Sequence, residues 1–246
     1  MPEDGARTLS RYSFKTNELG YCGPPGADKV LLRYAALGEK KLERGAKKFL
    51  SRFPVLDSYL ELVARKKGAT SIFDTRVPRA IWRGEGAVAF RESDWDFLAK
   101  KFASKKLFPL AVARKVVGKI PAGAPIHHNL HVFLYGSLTG VVPRTLAVQN
   151  QCMISVAKIK SAEKGEAVAE TKQVIAKGGR FVFGKPVSRK ITLVRSGLSL
   201  VGDLKPGDYA AVHWGFAVEK ISQKQAIDLE RVTRKVFDSL NCRKAA

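Results

Sequence analysis

The run Asp208-Tyr-Ala-Ala-Val-His-Trp-Gly-Phe-Ala-Val-Glu-Lys-Ile221 opens on strict alternation. Tyr209, Ala211 and His213 share one face, and Ala210, Val212 and Trp214 share the other, the two-residue period of a β-strand. Upstream, Cys152-Met-Ile-Ser-Val-Ala-Lys-Ile159 reads as a second strand with a thiol at its start. The residues between them, 160–207, are turn-punctuated and β-rich, long enough to close both strands into one small barrel. Such a barrel would bring the sulfur of Cys152 and the imidazole of His213 together. A thiolate and an imidazole suit a soft or borderline metal ion.

Further strands are expected over Leu146–Val148, Ala167–Ile175, Phe181–Phe183 and Lys190–Val194, with Lys164-Gly165, Gly178-Gly179 and Leu204-Lys-Pro-Gly207 as breaks. Ser222-x-x-Gln225 is a capping box opening a final helix, with Leu229, Val232, Val236 and Leu240 on one face. The first hundred residues carry a different period. Ala27–Leu37, Glu39–Phe53 and Val55–Lys67 repeat apolar residues every three or four positions, with Gly38 and Gly68 as stops. Ser93-Asp-Trp-Asp96 is a second capping-box pattern, before Leu98 and Phe102. A Gly/Pro passage, Gly118–Pro125, ends this half. The expected class is α+β: a helical domain over residues 1–145, then a small OB-like β-barrel with a C-terminal helix over 146–246.

The 246 residues carry a net charge of +22, with an excess of 13 over residues 1–149 and of 9 over residues 150–246. A positive balance of this size fits RNA contact or an acidic partner. It is spread over both halves, however, with no basic tail. The densest stripe, Lys40, Lys41, Arg44, Lys47 and Lys48, fits the solvated face of a helix. No apolar run is long enough for a membrane span, and the N-terminus lacks a secretory pattern. Three cysteines, an odd and scattered number, point to a reducing, cytoplasmic setting.

The C-terminal half resembles the HypC-type chaperones of nickel–iron hydrogenase maturation. Those proteins begin Met-Cys-Leu-Ala-Ile-Pro-Gly-Lys-Val, against Cys152–Ile159 here. They continue with Arg-Arg-Glu-Val-Asn-Leu, against Ser188-Arg-Lys-Ile-Thr-Leu193, and end with Gly-Asp-Tyr-Val-Leu-Val-His-Val-Gly-Phe-Ala-Ile, against Gly207–Val218. The resemblance implies a five-stranded OB-type barrel with a trailing helix. It also implies a carrier of iron bearing cyanide and carbon monoxide, with Cys152 as ligand and His213 beside it. Asp208, Tyr209, Trp214, Gly215 and Phe216 would face the partner, either a hydrogenase large-subunit precursor or another maturation protein. Two departures matter: the family's Pro-Gly is Val156-Ala157 here, and Cys152 is internal rather than terminal. The whole chain more faintly resembles an uncharacterised prokaryotic family associated with hydrogenase genes, through Arg11–Phe14, Asn17–Pro25, His128–Phe133 and Val212–Trp214. Gly215 stands where that family tends to have aspartate.

Cys152 is expected to ionise readily in so basic a chain, since the thiolate is the form that binds metal. Cys22 with His128 and His131 is a candidate second site, while Cys242 near the C-terminus has no assigned role. Two rival readings are an RNA-binding OB protein, with Tyr209, Phe181, Phe183 and Trp214 as stacking rings, and a cysteine-dependent enzyme. There is no P-loop, Cys-x-x-Cys or His-Glu-x-x-His pattern.

Overall fold

The computed structural model describes residues 4–138 and 140–243. Among the described residues nine helices precede the sheet: α1 (Gly5–Glu18), α2 (Ala27–Leu37), α3 (Lys40–Leu50), α4 (Pro54–Lys66), α5 (Arg76–Arg83), α6 (Ser93–Ser104), α7 (Leu110–Val117), α8 (His128–Tyr135) and α9 (Leu146–Cys152). The strands β1 (Ser155–Glu163), β2 (Glu166–Lys177), β3 (Arg180–Thr192), β4 (Val194–Arg195), β5 (Leu198–Ser199), β6 (Tyr209–His213) and β7 (Phe216–Ile221) follow, then α10 (Gln223–Arg243). The class is α+β, as expected. No helix among the described residues is long and apolar enough to cross a membrane.

β1-β2-β3-β7-β6 form a closed barrel, with β4 and β5 as a separate hairpin. All barrel pairings are antiparallel except β3 with β7, which run parallel at Thr192 and Phe216. This ring order is OB-like. Lys164-Gly165, Gly178-Gly179, Ser196-Gly197 and Trp214-Gly215 each join two strands as a two-residue turn, with positive φ at both residues. That is the turn whose twist matches paired strands. Trp214, at φ 53°, is the bulky exception among them.

Alternation on β6 sorts its side chains between two cores. Ala210 and Val212 join Ala157, Ile159, Ala169 and Ala217 in the barrel interior. Ala211 belongs instead to a continuous core shared with α1, α4, α5, α8 and α10. The barrel wall is therefore covered by helices, and His213, on the Ala211 face, points its ring toward α1. The same core runs across the boundary between residues 145 and 146.

Three asparagines complete the seam by imitating a neighbouring strand. Asn129 donates to the Ile154 carbonyl (3.0 Å) and accepts from its N–H (2.8 Å). Asn150 does the same for Val174 (2.9 and 2.7 Å), and Asn241 for Phe181 (both 2.9 Å). Each satisfies the donor and the acceptor of one residue, Val174 and Phe181 within strands and Ile154 just before β1, which burial would otherwise leave unpaired.

Several local expectations change. Leu146–Val148 is the start of α9, capped by Thr145 Oγ1 on Val148 N at 3.3 Å, and not a strand. Cys152 consequently ends that helix, and β1 begins at Ser155. The segment at 181–183 and residues 190–192 are joined in the single long strand β3, Val194 opens the separate β4, and β7 is an additional strand. The Ser93–Asp96 box does not form: the N-cap is Glu92, and Asp94 accepts from Arg91 N (2.8 Å) instead. Ser222 and Gln225 do form theirs, exchanging bonds of 2.8 and 3.2 Å.

Candidate metal-binding site

Cys152 and His213 meet, and His128 joins them. Their ligand atoms all lie within 4.8 Å of one another, the one such trio of His, Cys or acidic residues among the described residues. Three elements supply them. α9 delivers Cys152 on its last residue, β6 delivers His213 just before the Trp214-Gly215 turn, and α8 delivers His128 in its first turn. The backbone of Trp214 donates to Gln151 O at 2.7 Å, fastening the turn to the residue before Cys152.

The tautomer of His213 is set by α1. Its Nδ1 lies 2.7 Å from the Tyr12 carbonyl, an acceptor only, so Nδ1 carries the proton. Nε2 is then the lone-pair nitrogen, fully buried and without a hydrogen bond of ordinary geometry, with the Cys152 backbone close to the ring. An imidazole anchored through one nitrogen to a carbonyl, with the other free, is the orientation of a metal ligand. His128 Nε2 lies 2.9 Å from the Cys152 carbonyl and 3.8 Å from its sulfur. Ligand atoms around a tetrahedral ion stand about 3.3–3.7 Å apart, so a small contraction and loss of the His128–carbonyl bond would complete the trio. Trp82 roofs the site, its ring 4.6 Å from His128, 5.9 Å from His213 and 5.1 Å from Tyr12.

Burial, not the net charge, sets the protonation states. The Cys152 thiol is pushed up to about 12 by desolvation, with the nearby charge of Cys22 adding to it. The expected easy ionisation is therefore wrong: the cationic excess lies in solvent, where it is screened, while the sulfur sits in a low-dielectric interior. Burial likewise holds His128 down to about 4, and His127, His131 and His213 down to about 3. At neutral pH the site holds a thiol and neutral imidazoles.

A cavity of about 420 Å³ opens beside the trio, lined by Cys152, His128, His131, Cys22, Trp82 and Tyr59 among others. Cys22, His128 and His131 thus share one chamber with Cys152, but the close trio takes His128 away from the grouping with Cys22 and His131. His131 packs between Tyr59 (5.8 Å) and Tyr135 (5.4 Å). The sequence alone gave no signal for pairing His128 with Cys152, because the docking of α8 beside α9 is a tertiary event.

The expected partner face is partly interior. Phe216 is 1% exposed, edge-on to Phe14 at 5.0 Å, so it offers no outer surface. Trp214 rests on Tyr21 (4.9 Å), and Asp208 is held by Lys220 (2.6 Å) and Lys205 N (2.8 Å) at the far end of β6. Tyr209 lies under Lys158 at 5.9 Å. Behind the site, Glu219 of β7 is a feature that sequence reasoning missed. It accepts from Tyr12 Oη (2.6 Å), Arg83 Nη1 (3.0 Å) and Arg11 Nη1 (3.4 Å) in the interior.

Among the comparisons with known proteins, one family model, described as a family of unknown function (DUF6390), matches residues 1–246. No curated protein and no solved structure matches the chain.

Proposed function

We propose, from the premise that the chain belongs to the DUF6390 family of unknown function along its whole length, that it is a metal-handling assembly factor. Its cargo is held by Cys152, His128 and His213. The observation that carries this reading is the buried Nε2 of His213, unpartnered and oriented by Tyr12, beside a thiol and a second imidazole. One sulfur and two nitrogens favour a borderline ion such as iron(II) or zinc over a hard one. Three protein ligands leave a coordination position free on the cavity side, which suits a cargo that must leave again better than a closed four-ligand site does. Loading displaces the thiol proton, so affinity rises with pH.

The resemblance to HypC-type chaperones supports the narrower form of this proposal. The cargo is then iron bearing cyanide and carbon monoxide, and the recipient a hydrogenase large-subunit precursor or another maturation protein. A cysteine nucleophile is poorly served here, because the thiol stays protonated and the neighbouring histidines are neutral. Three of the four rings offered for RNA stacking are engaged internally: Phe181 on Phe133 (5.2 Å), Phe183 on Phe237 (5.2 Å) and Trp214 on Tyr21 (4.9 Å). Anaerobic purification from a hydrogenase-producing host, with metal analysis and infrared spectroscopy, tests the proposal. Iron with cyanide and carbonyl bands is expected in the native protein and not in Cys152→Ala. Metal-free native protein that cannot be loaded with iron(II) or zinc would refute the general reading, and loading without those bands would refute the narrower one.

A further inference from the structure

Three dipeptides stand together here: Tyr21-Cys22 and Gln151-Cys152, of which Tyr21, Cys22 and Cys152 line the cavity, and His213-Trp214 beside them. Their outer members are tied together. The Tyr21 ring packs on the Trp214 ring at 4.9 Å, and Trp214 N donates to Gln151 O at 2.7 Å. Their other members are two thiols and the oriented imidazole. Cys22 and Cys152 line the same cavity of about 420 Å³.

The loop that carries Cys22 is built to hold its shape. Asn17 donates to Cys22 O (2.7 Å) and Pro24 O (2.9 Å), and accepts from Asp28 N (2.7 Å). Gly23 has φ of +81°, and a Cβ there would stand 2.3 Å from the Phe53 ring, so the backbone lies directly against that wall. Such clamping fixes where the neighbouring sulfur sits. The buried Nε2 of His213, without a hydrogen bond, stands in the close trio with Cys152 and His128, the two trio members that line that cavity.

From this arrangement we infer that Cys22 is a second thiol ligand of the site, so that the cavity takes a thiophilic centre bridged by Cys22 and Cys152, with His128 and His213 as the nitrogen donors. The inference rests on the metal-handling reading for its cargo, but the dithiol itself can be tested without metal. Cys22 stands outside the close trio, so a soft centre entering from the cavity side recruits it, and its release reopens the position through which the cargo leaves.

Phenylarsine oxide is the metal-free probe. It condenses with two thiols, forming two As–S bonds while both thiol protons and the oxide oxygen leave as water, with no change in oxidation state. The reduced, metal-free full chain is treated with one equivalent, challenged with excess 2-mercaptoethanol, and read by intact mass. The native protein and Cys242→Ser should keep one adduct. Cys22→Ser and Cys152→Ser should each lose it while retaining native circular dichroism, with Cys22→Ala as the second variant should serine perturb the loop. Retention of the adduct by a folded Cys22 variant, or its absence from the native protein, overturns the inference. In parallel, cobalt(II) loading should give a sulfur-to-metal charge-transfer band that falls by about half in Cys22→Ser, one of two thiolates being lost. A band unchanged in Cys22→Ser refutes the shared site and leaves the three-ligand reading intact. A protein that captures the arsenical but binds no metal refutes the metal-handling reading and leaves the dithiol standing.

Discussion

Replacing Glu219 by alanine should both destabilise the protein and loosen the metal site. Its carboxylate takes bonds from Tyr12 Oη at 2.6 Å and Arg83 Nη1 at 3.0 Å, and Arg11 approaches to 3.4 Å. The side chains of Arg83 and Glu219 are only 5% and 6% exposed. Removing one partner of a buried pair costs about 3–5 kcal/mol, because the survivor keeps its desolvation penalty. Arg83 retains Glu85 at 3.1 Å, so the lower end, about 3 kcal/mol, is expected. For a chain of this size that is a fall in Tm of roughly 6–12 °C. The same loss reaches the site, because the Tyr12 hydroxyl is anchored by Glu219 and the Tyr12 carbonyl orients His213 at 2.7 Å. Disturbing such an outer partner lowers metal affinity about 10- to 100-fold. Urea denaturation and a zinc competition titration on Glu219→Ala and Tyr12→Phe read both effects, and the double variant should fall short of their sum. A Glu219→Ala protein within about 1 kcal/mol of native stability would refute the buried-pair reasoning. Reduced stability with unchanged zinc affinity would refute its link to His213.

Acid should unfold the protein early. Burial holds His127, His131 and His213 at about 3 and His128 at about 4, below the value of about 6.5 in an unfolded chain. Stability is therefore complete above that unfolded value and is lost as pH falls toward the folded ones, by up to about 1.4 kcal/mol per pH unit for each fully buried ring. His128 and His131 contribute less, because their surfaces are partly open. Urea midpoints that stay flat from pH 7 to pH 5 would count against this. Asn129→Ala should cost about 3 kcal/mol, since it strands the buried N–H and carbonyl of Ile154 and takes from Thr233 Oγ1 the bond it accepts (2.9 Å), leaving only its donation to Leu229 O; a loss under about 1 kcal/mol in the same assay would show that the asparagine seam is dispensable. Gly23→Ala should displace the Cys22 loop, as its Cβ would meet Phe53 and its φ is left-handed. The measurable outcome is a stability loss of about 1–3 kcal/mol together with faster alkylation of Cys22, and an unaltered alkylation rate would argue against the clamp.

The sequence alone determined the features that are local. Hairpins turned where Lys164-Gly165 and Gly178-Gly179 demanded positive φ, because few other residues accept that backbone. Helix α2 fell on Ala27–Leu37, and Ser222 with Gln225 capped α10, because such signals act within a turn of the chain. Alternation in Tyr209–His213 assigned faces to the barrel strand. It could not say what would cover the outer one. That depended on α1, α5, α8 and α10 docking there, which made Phe216 interior and gave Glu219 its arginines. Leu146–Val148, too short to carry a reliable period, became a helix, and so moved Cys152 from a strand to a helix end. The arrival of His128 beside Cys152 and His213, and the protonation of the sulfur, belong to the tertiary structure alone: the first follows from the docking of α8 beside α9, the second from which surfaces exclude water, a property that no residue possesses until its distant neighbours have closed over it.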